Sequence, residues 1–154
     1  MDETAAVIDI GGWGRSWAVG APLIVLTVVV HVIGLGLIRA AFHRALPRPA
    51  AVIRAPLPHF ALVMSVTVSL VTLLHVLQAA LWAAAFMVTG ALRTSHEAML
   101  YSLGAMTTYG HAAIYLERHW QMLGALEALN GAILLGLSTA FLYAMIQQAW
   151  PGTR

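Results

Sequence analysis

The chain has 154 residues, of which 60% are hydrophobic and 9% charged, with a mean hydropathy of +0.82. A soluble domain carries about 25% charged residues, so these numbers exclude a soluble globular enzyme and a disordered tail and leave an integral membrane protein of the helical kind. All the Lys and Arg positions are Arg, eight of them, and there is no Cys, so disulfides and thiolate chemistry are excluded and the sparse positive charge reads as a topology signal, not a nucleic-acid surface.

The N-terminus opens Met-Asp-Glu, acidic where a cleaved signal would be basic, and the chain is expected to insert through its own first helix. The first apolar run extends from about Trp17 to Ile38, close to the roughly 20 residues of a spanning helix, and an additional transmembrane helix is expected over residues 17–42. Arg39, Arg44, Pro47, Arg48, Pro49, Arg54, Pro56 and Pro58 follow, and place a water-exposed linker at 43–57. A second run covers His59 to Leu92, and the last covers Trp120 to Trp150. Trp13, Trp17, Trp120 and Trp150 stand where interfacial anchors belong. The division expected is an N-terminal segment with its helix and linker (1–56), and a two-helix unit (57–150).

Between the last two runs, residues 93–119 behave differently. Thr94 and Glu97 have capping-box spacing and start a helix that runs to about Thr107, roughly 20 Å long and too short to cross a bilayer. A short apolar helix that enters a membrane and returns is a re-entrant segment, here 94–112, and its backbone must be buried in protein or line water. The alternative is an ordinary apolar extracellular loop. The stretch 39–54 carries four Arg and no acid, whereas Asp2, Glu3, Asp9, Glu97 and Glu117 lie at the opposite ends of the runs. The positive-inside rule then puts the linker and C-terminus in the cytoplasm and the N-terminus and re-entrant segment outside.

Helix, short helix, Thr-Thr-x-Gly, helix is the layout of a pore unit, in which backbone carbonyls replace an ion's hydration shell and alternate residues take positive φ. The negative end of the short helix's dipole favours a cation, and one such loop per chain demands several chains around an axis. On Tyr101-Ser102, on Thr107-Thr108-Tyr109-Gly110-His111-Ala112, on Trp120 and on Leu123-Gly124-Ala125-Leu126-Glu127-Ala128-Leu129-Asn130-Gly131, residues 57–149 resemble the pore module of the potassium-channel superfamily, particularly its small bacterial members. The resemblance implies an all-α membrane protein with three transmembrane helices, a re-entrant pore helix and a filter loop, assembled as a homotetramer in the bilayer of a bacterial inner membrane. It implies no cofactor beyond permeant K⁺ or another monovalent cation. From the residues themselves, no nucleophile–base–acid set and no P-loop signature stand out, so no enzyme activity is expected, nor a nucleic-acid partner. The family's filter reads T-T-x-G-Y-G followed by Asp. Here Thr108-Tyr109-Gly110 fit T-x-G, while His111, Ala112 and Ala113 replace Tyr, Gly and Asp. Ion coordination falls by resemblance to the Thr108 hydroxyl and the carbonyls of Thr108 to His111. The replacements at 111 and 112 imply altered or reduced selectivity for K⁺.

Further along, Gly124, Ala128, Ala132, Gly136, Ala140 and Ala144 recur every four residues, a stripe that lets helices approach closely in any membrane bundle. By the family's register, Ile133, Gly136, Ala140 and Ala144 lie toward an inner cavity, and Gly131 or Gly136 is a candidate hinge. Glu127 is the one carboxylate deep in a span, with Asn130 a turn later on the same face. The favoured reading is that Glu127, Asn130 and Tyr101 support the short helix, Glu127 through Ser102, Thr107 or Tyr101, against a partly wet Glu near the interface. His31 and His75 lie within spans, as a hydrogen-bonded core or, in a rival reading, as the axial pair of a membrane haem. A third reading is a non-conducting channel-like subunit. His96, His111 and His119 gather on the outer side and are candidates for pH or Zn²⁺ sensitivity.

Overall fold

A computed structural model of the protein describes residues 3–45, 56–110 and 114–149. The centre of the Arg/Pro linker, His111, Ala112 and Trp150 lie outside the described residues. Among the described residues four α-helices follow in chain order: α1 (Glu3–Ala45), α2 (Pro56–Val88), α3 (Ser95–Met106) and α4 (Gln121–Ala149), the last entered through a 3₁₀ turn at Arg118–Trp120. Among the described residues there is no strand. Three segments of the described residues are long and apolar enough to span a membrane, Trp13–Arg44, Leu57–Val88 and Arg118–Gln148, which fits a multi-pass membrane protein.

Burial runs opposite to that of a soluble domain. Val25 (62% exposed), Leu37 (65%) and Leu62 (63%) face outward, while Thr27, His31, Gln78, Ser102, Glu127 and Asn130 are fully or almost fully enclosed. Large apolar side chains left outside and polar ones drawn together inside are the arrangement that hydrocarbon solvent imposes, because buried polar groups there find partners only in each other.

Two helices differ in their bounds from the sequence expectation. α1 continues beyond 17–42 at both ends, runs through Pro22, and so carries Arg39 and Arg44 on its last turns instead of in the linker. Cations at a helix C-terminus complement its dipole, so the end of α1 accommodates them. α2 stops at Val88, short of Leu92, because Gly90 takes φ +74° and the Gly90 and Leu92 N–H groups donate to the carbonyls of Met87 (3.1 Å) and Phe86 (3.2 Å). A left-handed glycine that closes the orphan carbonyls is a common helix stop.

The start of α3 follows the capping-box spacing. Thr94 is extended at the N-cap, and its hydroxyl oxygen accepts from the Glu97 N–H at 3.2 Å. α3 is 12 residues long, about 18 Å by helix rise. It packs between α2 and α4, and α1 packs chiefly along α4. A first core cluster joins Trp82, Phe86, Ala98, Trp120 and Leu123. A second cluster joins Ala79 of α2, Met106 at the end of α3 and Leu134 of α4.

Candidate functional site

That second cluster sets the depth of the short helix. Ala79 lies about 13 Å along α2 from its Val88 end, and Leu134 about 20 Å along α4 from its start, by helix rise. Met106 packs against both, so the C-terminal end of α3 lies well down the length of the bundle and not at its edge.

Glycine makes this approach possible. A Cβ on Gly131 would fall on the backbone of Met106, and one on Gly124 would collide with the Tyr101 hydroxyl and with Leu116. Seven residues apart on α4, these glycines are the two seats of α3, so Gly131 is a packing contact and not a free hinge. Gly136 differs, since a Cβ there meets nothing within 4 Å. It lies with Ile133 (42% exposed) and Ala140 on the outward face of α4, with Ala144 half-buried beside them. This face carries the residues expected at an inner cavity.

At the end of α3 the chain turns sharply. The N–H groups of Thr107, Thr108 and Gly110 donate to the carbonyls of Leu103 (3.1 Å), Ala105 (3.1 Å) and Gly104 (3.2 Å). Thr108 has φ 59° and Gly110 φ 71°, so alternate residues are left-handed. Gly110 takes this conformation freely, whereas Thr108 does so at a cost of about 1–2 kcal/mol. Thr107 and Thr108 are exposed, and Tyr109 is 85% exposed. Thr108 and Gly110 help to line a cavity of about 460 Å³ against Tyr101, Tyr115, Gly124 and Ala128. Of the six residues 107–112, the first four are thus brought to one exposed polar turn at the C-terminal end of α3, and the last two lie outside the described residues.

Behind this turn runs a buried polar seam. Ser102 Oγ lies 2.7 Å from the Ala79 carbonyl and also against Glu127 Oε1. Glu127 is fully enclosed, not partly wet. Asn130 donates from Nδ2 to Thr27 Oγ1 at 2.8 Å, so it ties α4 to α1 and not to α3. Tyr101 stands edge-on to Phe86, ring centroids 5.3 Å apart.

The seam continues through both intramembrane histidines. Gln78 Nε2 donates to the Thr27 carbonyl at 3.1 Å, which fixes the amide orientation because that carbonyl only accepts. Gln78 Oε1 therefore accepts from His31 Nδ1–H at 3.1 Å. In neutral His31, Nε2 is then an acceptor and takes the single Ser138 hydroxyl proton at 2.9 Å. Ser138 Oγ in turn accepts from His75 Nε2–H, also at 2.9 Å. One hydroxyl satisfies two rings. Their centroids are 5.0 Å apart, in direct contact, so a porphyrin plate has no space between them and the pair does not fit axial haem ligation.

Ser138→Ala would leave a buried lone pair on His31 and an N–H on His75 without partners. The expected loss is about 1–2 kcal/mol, above the roughly 0.6 of an average interhelical bond in a membrane because two bonds go at once. The midpoint of denaturation in detergent measures it, and an unchanged midpoint would remove Ser138 from the centre of the seam.

In the 3₁₀ turn before α4, His119 Nε2 lies 3.7 Å from Glu117. Among the described residues no three His, Asp or Glu side chains converge on a metal-sized space. The sequence reading does not single out Thr27, Gln78 or Ser138. The readable signal for two of them is spacing: Thr27 and His31 are four apart, His75 and Gln78 three apart, each pair on one helix face inside an apolar run.

No protein-family model, curated protein or solved structure matches this chain.

Proposed function

We propose that this protein is the subunit of a cation channel, with α3 as a re-entrant pore helix and residues 107–112 as its filter. The observation that carries the reading is the polar turn at Thr107–Gly110, exposed at a depth where the surrounding surface is apolar. Backbone at membrane depth cannot face lipid and is stable only against protein or a water-filled path. A ring of copies supplies both: the turns meet around an axis, and the water lies along it. The resemblance of the filter region to potassium channels makes that ring a homotetramer and K⁺ the first permeant ion.

Three features of the fold agree with this role. α3 directs its C-terminal, partially negative end at the turn, which favours cations. The left-handed residues at 108 and 110 alternate, as a carbonyl-lined filter needs. Ile133, Gly136 and Ala140 leave an apolar outward face on α4, available to line the inner cavity with Ala144 at its lower end. In this reading the N-terminus and the filter mouth lie outside, and the α1–α2 linker and the C-terminus are cytoplasmic, in a bacterial inner membrane.

The replacements at positions 111 and 112 bear on selectivity. His111→Tyr combined with Ala112→Gly restores the family's Gly-Tyr-Gly run and is expected to move the reversal potential of reconstituted channels toward that of K⁺ in a K⁺/Na⁺ gradient. A reversal potential identical to the wild type's would contradict the assignment of these residues to the filter.

A further inference from the structure

Ser102 presents a problem of proton number. Its oxygen stands between two neighbours, the Ala79 carbonyl at 2.7 Å and Glu127 Oε1, both in hydrogen-bond contact. The hydroxyl has one proton, and a backbone carbonyl can only accept, so the Ser102 proton belongs to Ala79. The contact with Glu127 then lacks a proton unless the carboxyl brings its own.

The surroundings of Glu127 give the same answer independently. Its side chain is 0% exposed, and its second oxygen, Oε2, is buried with no hydrogen-bond partner. The groups around it are Ser102 and the Tyr101 phenol on α3, the Ala79 carbonyl of α2, and Asn130 on its own helix, itself bonded to Thr27 of α1. None of these is cationic, and Arg15, Arg93 and Arg118 are all exposed. A carboxylate buried without a cation and with one oxygen unsatisfied is strongly disfavoured, and a neutral acid avoids that cost. Glu127 does not line the cavity of about 460 Å³ beside the turn, and a proton is the one cation that needs no cavity.

We infer that Glu127 holds a proton on Oε1 at neutral pH and donates it to Ser102 Oγ, which donates its own to the Ala79 carbonyl. Carboxyl, hydroxyl and carbonyl then form an ordered chain from α4 through α3 to α2. Glu127 is a positioning residue that fastens the short helix between its neighbours without placing a charge in the membrane. The chain lies inside the protomer and does not rest on the pore reading.

Infrared difference spectroscopy of the full-length protein in lipid at neutral pH tests it. The expected result is a carbonyl-stretch band of a protonated carboxylic acid that moves down in D₂O, is absent in Glu127→Gln and is retained in Glu97→Gln. Gln is isosteric and supplies an N–H to Ser102 in place of the acid proton, so that variant is expected to fold. ¹³C-glutamate labelling of the unmutated protein reads the same band should it not. Ser102→Ala removes the acceptor and is expected to shift the band. A carboxylate signal in place of the acid band, or an acid band indifferent to Ser102→Ala, would overturn the inference. The readout involves no ion flux, so its failure and failure of the channel proposal are separate results.

Discussion

Gly131→Ala is expected to destabilise the protein by about 1–3 kcal/mol, the range found when a packed core is overfilled. The added methyl falls on the carbonyl oxygen, Cα and carbonyl carbon of Met106. These are backbone atoms, which cannot swing aside as a side chain can, so the end of α3 must move off α4. That movement also pulls Met106 away from Ala79 and Leu134. Gly136→Ala, five residues further along the same helix, is the matched control. Its methyl meets open space, and alanine favours a helix over glycine by up to about 1 kcal/mol. Denaturation midpoints of the two variants in detergent separate a seat from an open face. Equal midpoints would mean that α3 is not seated on Gly131. The same pair measured for ion flux adds information, because Gly136 lies on the face assigned to the inner cavity.

Gly110→Ala is expected to lower cation flux by roughly 5–30-fold. Gly110 has φ 71°, and a Cβ added there would meet nothing within 4 Å, so the effect of alanine is backbone strain alone. Left-handed alanine costs about 1–2 kcal/mol, which depletes the turn's native conformation by that factor. Gly90 provides the comparison, with φ 74° and the same open surroundings. It lies in the turn between α2 and α3, away from residues 107–112. Gly90→Ala carries the same local strain and is expected to leave flux within about twofold of the wild type once the amount of folded protein is matched. If both variants lose flux equally, the loss reflects general destabilisation, and the turn at 108–110 has no special part in conduction.

Much of the architecture is legible in the sequence because membrane solvent leaves few choices. Runs of apolar residues can only be helices, and the Thr94/Glu97 spacing marks the start of α3 because the Thr94 oxygen accepts from the Glu97 N–H. That Glu127 needs a polar partner on the short helix is legible, since it is a lone carboxylate deep in a span, but the sequence offers Ser102, Thr107 and Tyr101 equally, and only packing selects Ser102. The end of α2 is not legible from hydropathy, which continues through Ala91-Leu92, while Gly90 ends the helix by its backbone conformation. The histidines are harder. Whether His31 and His75 meet depends on the depth and rotation of α1 against α2, and a uniform apolar run encodes neither. Ser138, which joins them, is an unremarkable Ser in sequence and is defined only by the rings that converge on it. Asn130 shares a face with Glu127 as its spacing requires, but its partner Thr27 comes from α1, a helix outside the stretch that resembles a pore module.

These observations also order the roles of the polar residues. Glu127, Ser102, Gln78, His31 and Ser138 hold the helices together from within. Thr107, Thr108 and Gly110 are turned outward, and Tyr109 projects furthest. A bundle that spent its polar groups only on internal packing would have no reason to leave a polar backbone turn outward at that depth. The channel reading accounts for it with the neighbouring subunits and the water between them.

Potassium flux from proteoliposomes containing only this purified protein tests that reading most directly. With K⁺ inside and an impermeant cation outside, a K⁺-dependent efflux well above that of protein-free vesicles is expected, reduced in Gly110→Ala and preserved in Gly90→Ala. Vesicles that contain folded, assembled protein and leak no faster than empty ones, to K⁺ or to Na⁺, would contradict it.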